Sequence, residues 1–152
     1  MKKTIIIREE EKDIEIPVKA NMAALAIYRE EFTGDLIKDL NTVYQELHPD
    51  PFAAAMKKIN YNPDEMDQEK LAALLMANVD YQQLSEPERL PDETAVTKTL
   101  QILWSMAKAA DKRIENFDDW SEEFDMIPVK GLIERCNEIW TAANMTTVEL
   151  KN

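Results

Sequence analysis

Apolar and polar positions change their rhythm once, near residue 20. The segment Lys2–Arg8 is isoleucine-rich, and Asp13–Lys19 places Ile14, Ile16 and Val18 at every second position. Alternation of this kind predicts strands, and the acidic stretch 9–12 between them predicts a β-hairpin. A two-stranded hairpin is marginal in water, so its apolar face is expected to pack on helices. After residue 20 the apolar spacing becomes three to four residues. Asn21 is placed to cap a helix over Met22–Phe32, with Leu25, Tyr28 and Phe32 on one side and Gly34 ending it or permitting a sharp joint. Asp35 then caps a second helix with the stripe Leu36, Leu40, Val43 and Leu47.

His48-Pro49-Asp50-Pro51 is a stop signal. A short helix is expected over 52–59. Another is expected from Asn62-Pro63-Asp64 to about Tyr81, with Met66, the Lys70 stem, Leu71, Leu74, Leu75 and Val79 on its inner side. Residues 84–92 hold Pro87 and Pro91 and read as a loop. Asp92 caps a long helix to about Asp111, striped by Val96, Leu100, Leu103, Trp104 and Ala107 and widened by Ile102 and Met106. Asn116 or Asp118 starts a short acidic helix carrying Trp120 and Phe124. Pro128 suits the first turn of the last helix, whose stripe is Val129, Leu132, Ile133, Cys136, Ile139, Trp140 and Ala143. Residues 146–152 form a polar tail that is expected to be mobile.

Composition strengthens the helical reading. Only two glycines occur in 152 residues, and Ala, Leu, Met, Glu, Lys and Gln lose little rotamer freedom in a helix. The expected fold is mostly α: one compact multi-helix domain over 1–145 with a short N-terminal β-hairpin, large enough to need no staple. Net charge is -12, with Lys and Arg scattered among acids. Nucleic acid and anionic membranes are therefore not expected as partners. No apolar run is long enough to span a bilayer, and no signal-peptide pattern opens the chain. One cysteine is compatible with a reducing compartment.

The search for chemistry returns little. His48 is the only histidine, so a triad or a His/Cys metal set cannot be assembled in the usual way. Cys136 lies on the inner side of the last helix, where a buried small residue is expected rather than a nucleophile. Asp118, Asp119, Glu122, Glu123 and Asp125 form the densest acidic cluster, without the spacing of a calcium loop. No catalytic, cofactor-binding or metal-binding residue is assigned, and no enzyme is expected. Trp104, Trp120 and Trp140 are read first as core and second as candidate partner anchors, since aromatic side chains dominate interface hot spots. Arg29 is expected to pair with Asp35 or to cap a helix end.

Three motifs in order carry a resemblance. Tyr28-Arg29-Glu30-Glu31-Phe32-Thr33-Gly34-Asp35-Leu36 is similar to the Tyr-Arg-x-x-Phe-x-x-Asp-Leu signature of tail assembly chaperones from long-tailed bacteriophages and prophages of Gram-positive bacteria. Trp120 with Phe124 resembles the family's Trp-x-x-x-Phe. Trp140, Asn144 and Thr147 resemble its Trp-x-x-x-Asn-x-x-Thr ending. The segment from about Pro49 to Asp92 adds little.

The resemblance implies a non-catalytic protein of the host cytoplasm, absent from the mature virion. It would bind the tape measure protein, a long helical chain, keep it soluble, and help recruit tail tube subunits. Self-association is also implied, as is a longer frameshifted product contacting the tail tube protein. Leu150-Lys151-Asn152 can be encoded by a slippery run. Asn144 is expected at a helix C-terminus in the left-handed conformation that asparagine tolerates. The competing reading is an acidic phage protein that inhibits a host DNA-binding enzyme by charge mimicry. A third is a small enzyme with a carboxylate metal site.

Overall fold

The computed structural model describes residues 2–59, 62, 64–80, 90–145 and 148–151. Among them are two strands, β1 (Lys2–Arg8) and β2 (Asp13–Lys19), and seven helices. The helices are α1 (Met22–Phe32), α2 (Leu36–Leu47), α3 (Pro51–Lys58), α4 (Gln68–Asn78), α5 (Glu93–Ala110), α6 (Phe117–Ser121) and α7 (Val129–Asn144). The fold is mostly α with an N-terminal antiparallel hairpin, as the periodicities predict. Contacts divide the chain into two compact units, one formed by 1–47 with 91–152, the other by 48–90.

In the first unit α5 is the axis. Helices α1, α2, α6 and α7 and strand β2 all pack against it. Its apolar stripe is therefore wider than one face: Ala95, Thr99, Ile102, Leu103, Trp104, Ser105, Met106 and Ala107 are all buried. The two buried hydroxyls are satisfied within the helix, Thr99 donating to the Ala95 carbonyl at 2.7 Å and Ser105 to the Gln101 carbonyl at 2.9 Å. Such back-bonding lets a small polar residue sit in a helix interior without an orphaned donor. Ile102, Leu103 and Met106 expose nothing, and each stabilises the fold by about 1.5–3 kcal/mol relative to an exposed side chain.

The hairpin turns Ile5, Ile7, Ile16 and Val18 into the core and leaves Ile6 on the outer face. Its register pairs Ile5 with Ile16, Ile7 with Ile14 and Thr4 with Pro17.

Capping follows the expected side chains. Asn21 accepts from the Ala24 N–H, Asp35 from Lys38, Asp92 from Ala95 and Asn116 from Asp119. Four expectations need correction. First, the helix expected from residue 62 begins at Gln68, because the Asp67 carboxylate takes the Lys70 N–H, and it ends at Asn78. Tyr81 lies outside the described residues, as does most of the expected loop over 84–92. Second, Phe124 lies beyond the end of α6 and is reached through a turn. Third, Ala143 is exposed rather than on the inner face of α7. Fourth, Asn144 is the last residue of α7, at the helix C-terminus expected for it, but it is helical rather than left-handed, and Met145 follows at φ -84.

The second unit pairs α3 with α4. Asp50 caps α3 through the Phe52 and Ala53 N–H groups, and Pro51 suits its first turn. Helix α3 buries Pro51 and Ala55, while α4 fully buries no residue.

Candidate interaction surface

The first motif, Tyr28 to Asp35, builds the joint between α1 and α2. Thr33 ends α1 in the left-handed region at φ 53, its N–H donating to the Arg29 carbonyl. Glycine would be the usual residue there, yet Gly34 has no positive φ. Its role is spatial. A Cβ at Gly34 would stand 3.0 Å from both Tyr28 Cε1 and Asp39 Oδ2. Those two groups form the centre of the joint: the buried Tyr28 hydroxyl donates to Asp39 Oδ2 at 2.6 Å, and Lys98 Nζ lies 3.4 Å from the same oxygen. Burial, followed by the Asp39 hydrogen bond, holds the Tyr28 phenol far above its ordinary pKa. Phe32 stacks against Tyr28, Trp104 and Phe117 at 5.3, 5.7 and 5.1 Å between ring centroids. Asp35 is a helix cap. Arg29 is exposed, and its expected pairing with Asp35 is not among the ion pairs of the described residues.

The second motif is also packed. Trp120 is buried and stacks on Phe124 at 4.7 Å. Trp104 is buried, with its indole N–H donating to the Glu115 carbonyl at 2.9 Å. In the third motif Trp140 is half-buried and its N–H meets Met106 Sδ at 3.3 Å, while Asn144 is exposed. Of the three tryptophans, only Trp140 presents appreciable ring surface. The residues of the first two motifs thus come together at the α1–α2 joint and the α6–α5 contact, whereas Trp140 and Asn144 on α7 join neither.

No cluster of chemistry forms around the remaining candidates. The Asp118–Asp125 acids are exposed, and among the described residues no group of three His, Cys, Asp or Glu is placed to hold a metal ion. No helix of the described residues is long and apolar enough to cross a membrane. His48 is half-buried. Cys136 is fully buried, and desolvation pushes its thiol from 9.0 up to about 12. A folded-state pKa raised this far means the thiol's contribution to stability is complete below pH 9 and is lost as pH rises through 12. At pH 8 the native thiolate is much scarcer than in the unfolded chain. Iodoacetamide is therefore expected to label Cys136 at least a hundredfold more slowly in buffer than in urea. Equal rates would show that α7 does not keep this face closed.

Two surfaces remain, and sequence periodicity pointed to neither. The first is a groove of about 660 Å³ between β1 and α7, lined on the strand by Thr4, Ile6 and Arg8 and on the helix by Leu132, Arg135 and Ile139. Lys3 and Glu138 also line it, so bases outnumber acids in a chain of net charge -12. The second is the apolar surface of the second unit. Phe52 and Met56, one turn apart on α3, are each 42% exposed, and Leu74 and Met76 on α4 are 38% and 50% exposed. The stripe on α4 was legible, but its expected burial was not, because a stripe does not say whether anything covers it. No family model, curated protein or solved structure matches the chain.

Proposed function

We propose that the chain is a tail assembly chaperone of a long-tailed bacteriophage or prophage, and that it shields apolar stripes of the tape measure protein. The observation that carries this reading is the exposed apolar pair on α3. Phe52 and Met56 share a face of that helix and are each 42% exposed, and Leu74 of α4 is exposed as well. Such a surface, rich in adaptable methionine, suits an amphipathic partner helix. The three motifs in order support the same family. The protein would act without catalysis in the host cytoplasm and be absent from the virion. Tail tube subunits would be recruited through the longer frameshifted product. Repeated weak contacts along one long partner would gain avidity.

The test is co-expression with the tape measure protein encoded beside it. The expected result is a soluble tape measure protein that co-purifies with this chain. Phe52→Asp with Met56→Asp is expected to abolish both effects while leaving the melting temperature within a few degrees. An insoluble tape measure protein, with both this chain and its frameshifted product present and folded, would rule the reading out.

A further inference from the structure

The groove between β1 and α7 runs along a strand edge rather than over a sheet face. Its lining takes consecutive residues Lys3, Thr4, Ile5 and Ile6 from both faces of β1. In an antiparallel ladder, alternate residues exchange hydrogen bonds with the partner strand, while those between them point their N–H and C=O groups outward. Two observations fix which set is which. Pro17 has no N–H to give, and it stands opposite Thr4. At the other end the Glu9 N–H donates to the Lys12 carbonyl at 2.9 Å, which makes the next pair, Arg8 with Asp13, a non-bonded one. Both place Thr4, Ile6 and Arg8 in the outward set, and all three line the groove. Among the described residues the sheet has two strands, and none of them pairs with this edge. The outer edge of β2 carries Pro17, a residue that blunts strand edges, whereas β1 has no proline.

The same chain carries a segment of matching chemistry. Residues 148–151, beyond α7 and outside any helix or strand, read Val-Glu-Leu-Lys, apolar and charged in alternation. Val148 is 92% exposed and Leu150 97% exposed. In the folded chain this segment is out in solvent while the β1 edge stays open, so a chain does not close its own edge.

We propose that the open edge of β1 takes residues 148–151 of a second copy of this chain as a third strand. The backbone groups of Thr4, Ile6 and Arg8 pair with the incoming strand. Val148 and Leu150 turn toward Leu132 and Ile139 on α7, and Glu149 turns to the opposite face, the side of Arg8. The mode is strand addition, in which main-chain hydrogen bonds supply affinity and alternate side chains supply fit. It does not rest on the chaperone reading, since it concerns the purified chain alone.

Sedimentation velocity of the full chain over a wide concentration range tests it. The average mass is expected to rise with concentration. Val148→Asp with Leu150→Asp changes two solvent-exposed positions and is expected to weaken association by roughly a hundredfold, the equivalent of two apolar side chains returned to water. Ile6→Pro removes one outward N–H without removing a β1–β2 bond and is expected to do the same with the fold intact by circular dichroism. Should Ile6→Pro fail to fold, the paired aspartate variant decides alone. Association unchanged in that variant overturns the proposal. So does a monomer at every concentration.

Discussion

Asp39→Ala is expected to cost about 2–4 kcal/mol in urea unfolding, and Tyr28→Phe only about 1–2 kcal/mol. The asymmetry follows from what each change leaves behind. Tyr28 exposes no surface, and its hydroxyl has Asp39 as its partner at 2.6 Å. Removing the carboxylate strands a buried donor away from water, and it also leaves Lys98, 3.4 Å from the same oxygen, without that ion pair. Removing the hydroxyl deletes the donor together with its bond, and the partly exposed Asp39 keeps Lys98 and water. The double variant Tyr28→Phe with Asp39→Ala should therefore cost less than the sum of the singles by about 1 kcal/mol or more. Strict additivity would mean that the hydrogen bond contributes nothing to the joint. The same geometry explains Gly34, because any larger residue would intrude on the Tyr28–Asp39 contact.

That joint marks the boundary of what the sequence makes legible. Tyr28, Phe32 and Asp35 stand out as a motif, and the hairpin, the caps and the amphipathic stripes of α2, α5 and α7 follow from local rules. Asp39 does not stand out. Its importance comes from a long-range partner eleven residues away, and no periodicity singles out one acid among 30. Thr33 is a similar case. The chain places a β-branched residue in the left-handed position and a glycine one residue later, an order that local preference reverses. Only the approach of Tyr28 and Asp39 explains why the glycine is needed at 34.

The proposed interaction surfaces were hidden for a different reason. A stripe such as Leu71, Leu74 and Leu75 announces an apolar face and nothing about its cover. In the first unit the stripes of α2 and α7 find α5, and the reading of core holds except toward the end of α7, where Ala143 is exposed. In the second unit Leu74 stays exposed and Leu71 and Leu75 are only half-buried, with the same kind of pattern. Conversely, tryptophan invites an anchor reading at all three positions, and burial withdraws that surface at Trp104 and Trp120. The β1 edge was half legible: Pro17 shows which edge is guarded, but only once the register is known.

The tryptophans give the largest expected effect and separate scaffold from surface. Trp104→Ala is expected to cost about 3–5 kcal/mol. It removes the ring that packs against Phe32 at 5.7 Å and Phe117 at 6.1 Å, and it leaves the Glu115 carbonyl without its donor. A domain of ordinary stability, about 5–15 kcal/mol, would be left close to its threshold. The variant should therefore lose partner binding only in step with its loss of fold. Both losses should be reversed together by cooling or by a stabilising osmolyte. Phe52→Asp should behave in the opposite way. Phe52 is 42% exposed, so the fold should change by only about 1–2 kcal/mol, while on the proposed chaperone function co-purification of the tape measure protein falls at every temperature. Melting temperature and co-purified partner, measured on the two variants side by side, decide the matter. A Trp104→Ala chain that melts normally yet fails to hold its partner would move the binding surface to the α5 aromatic cluster and away from α3.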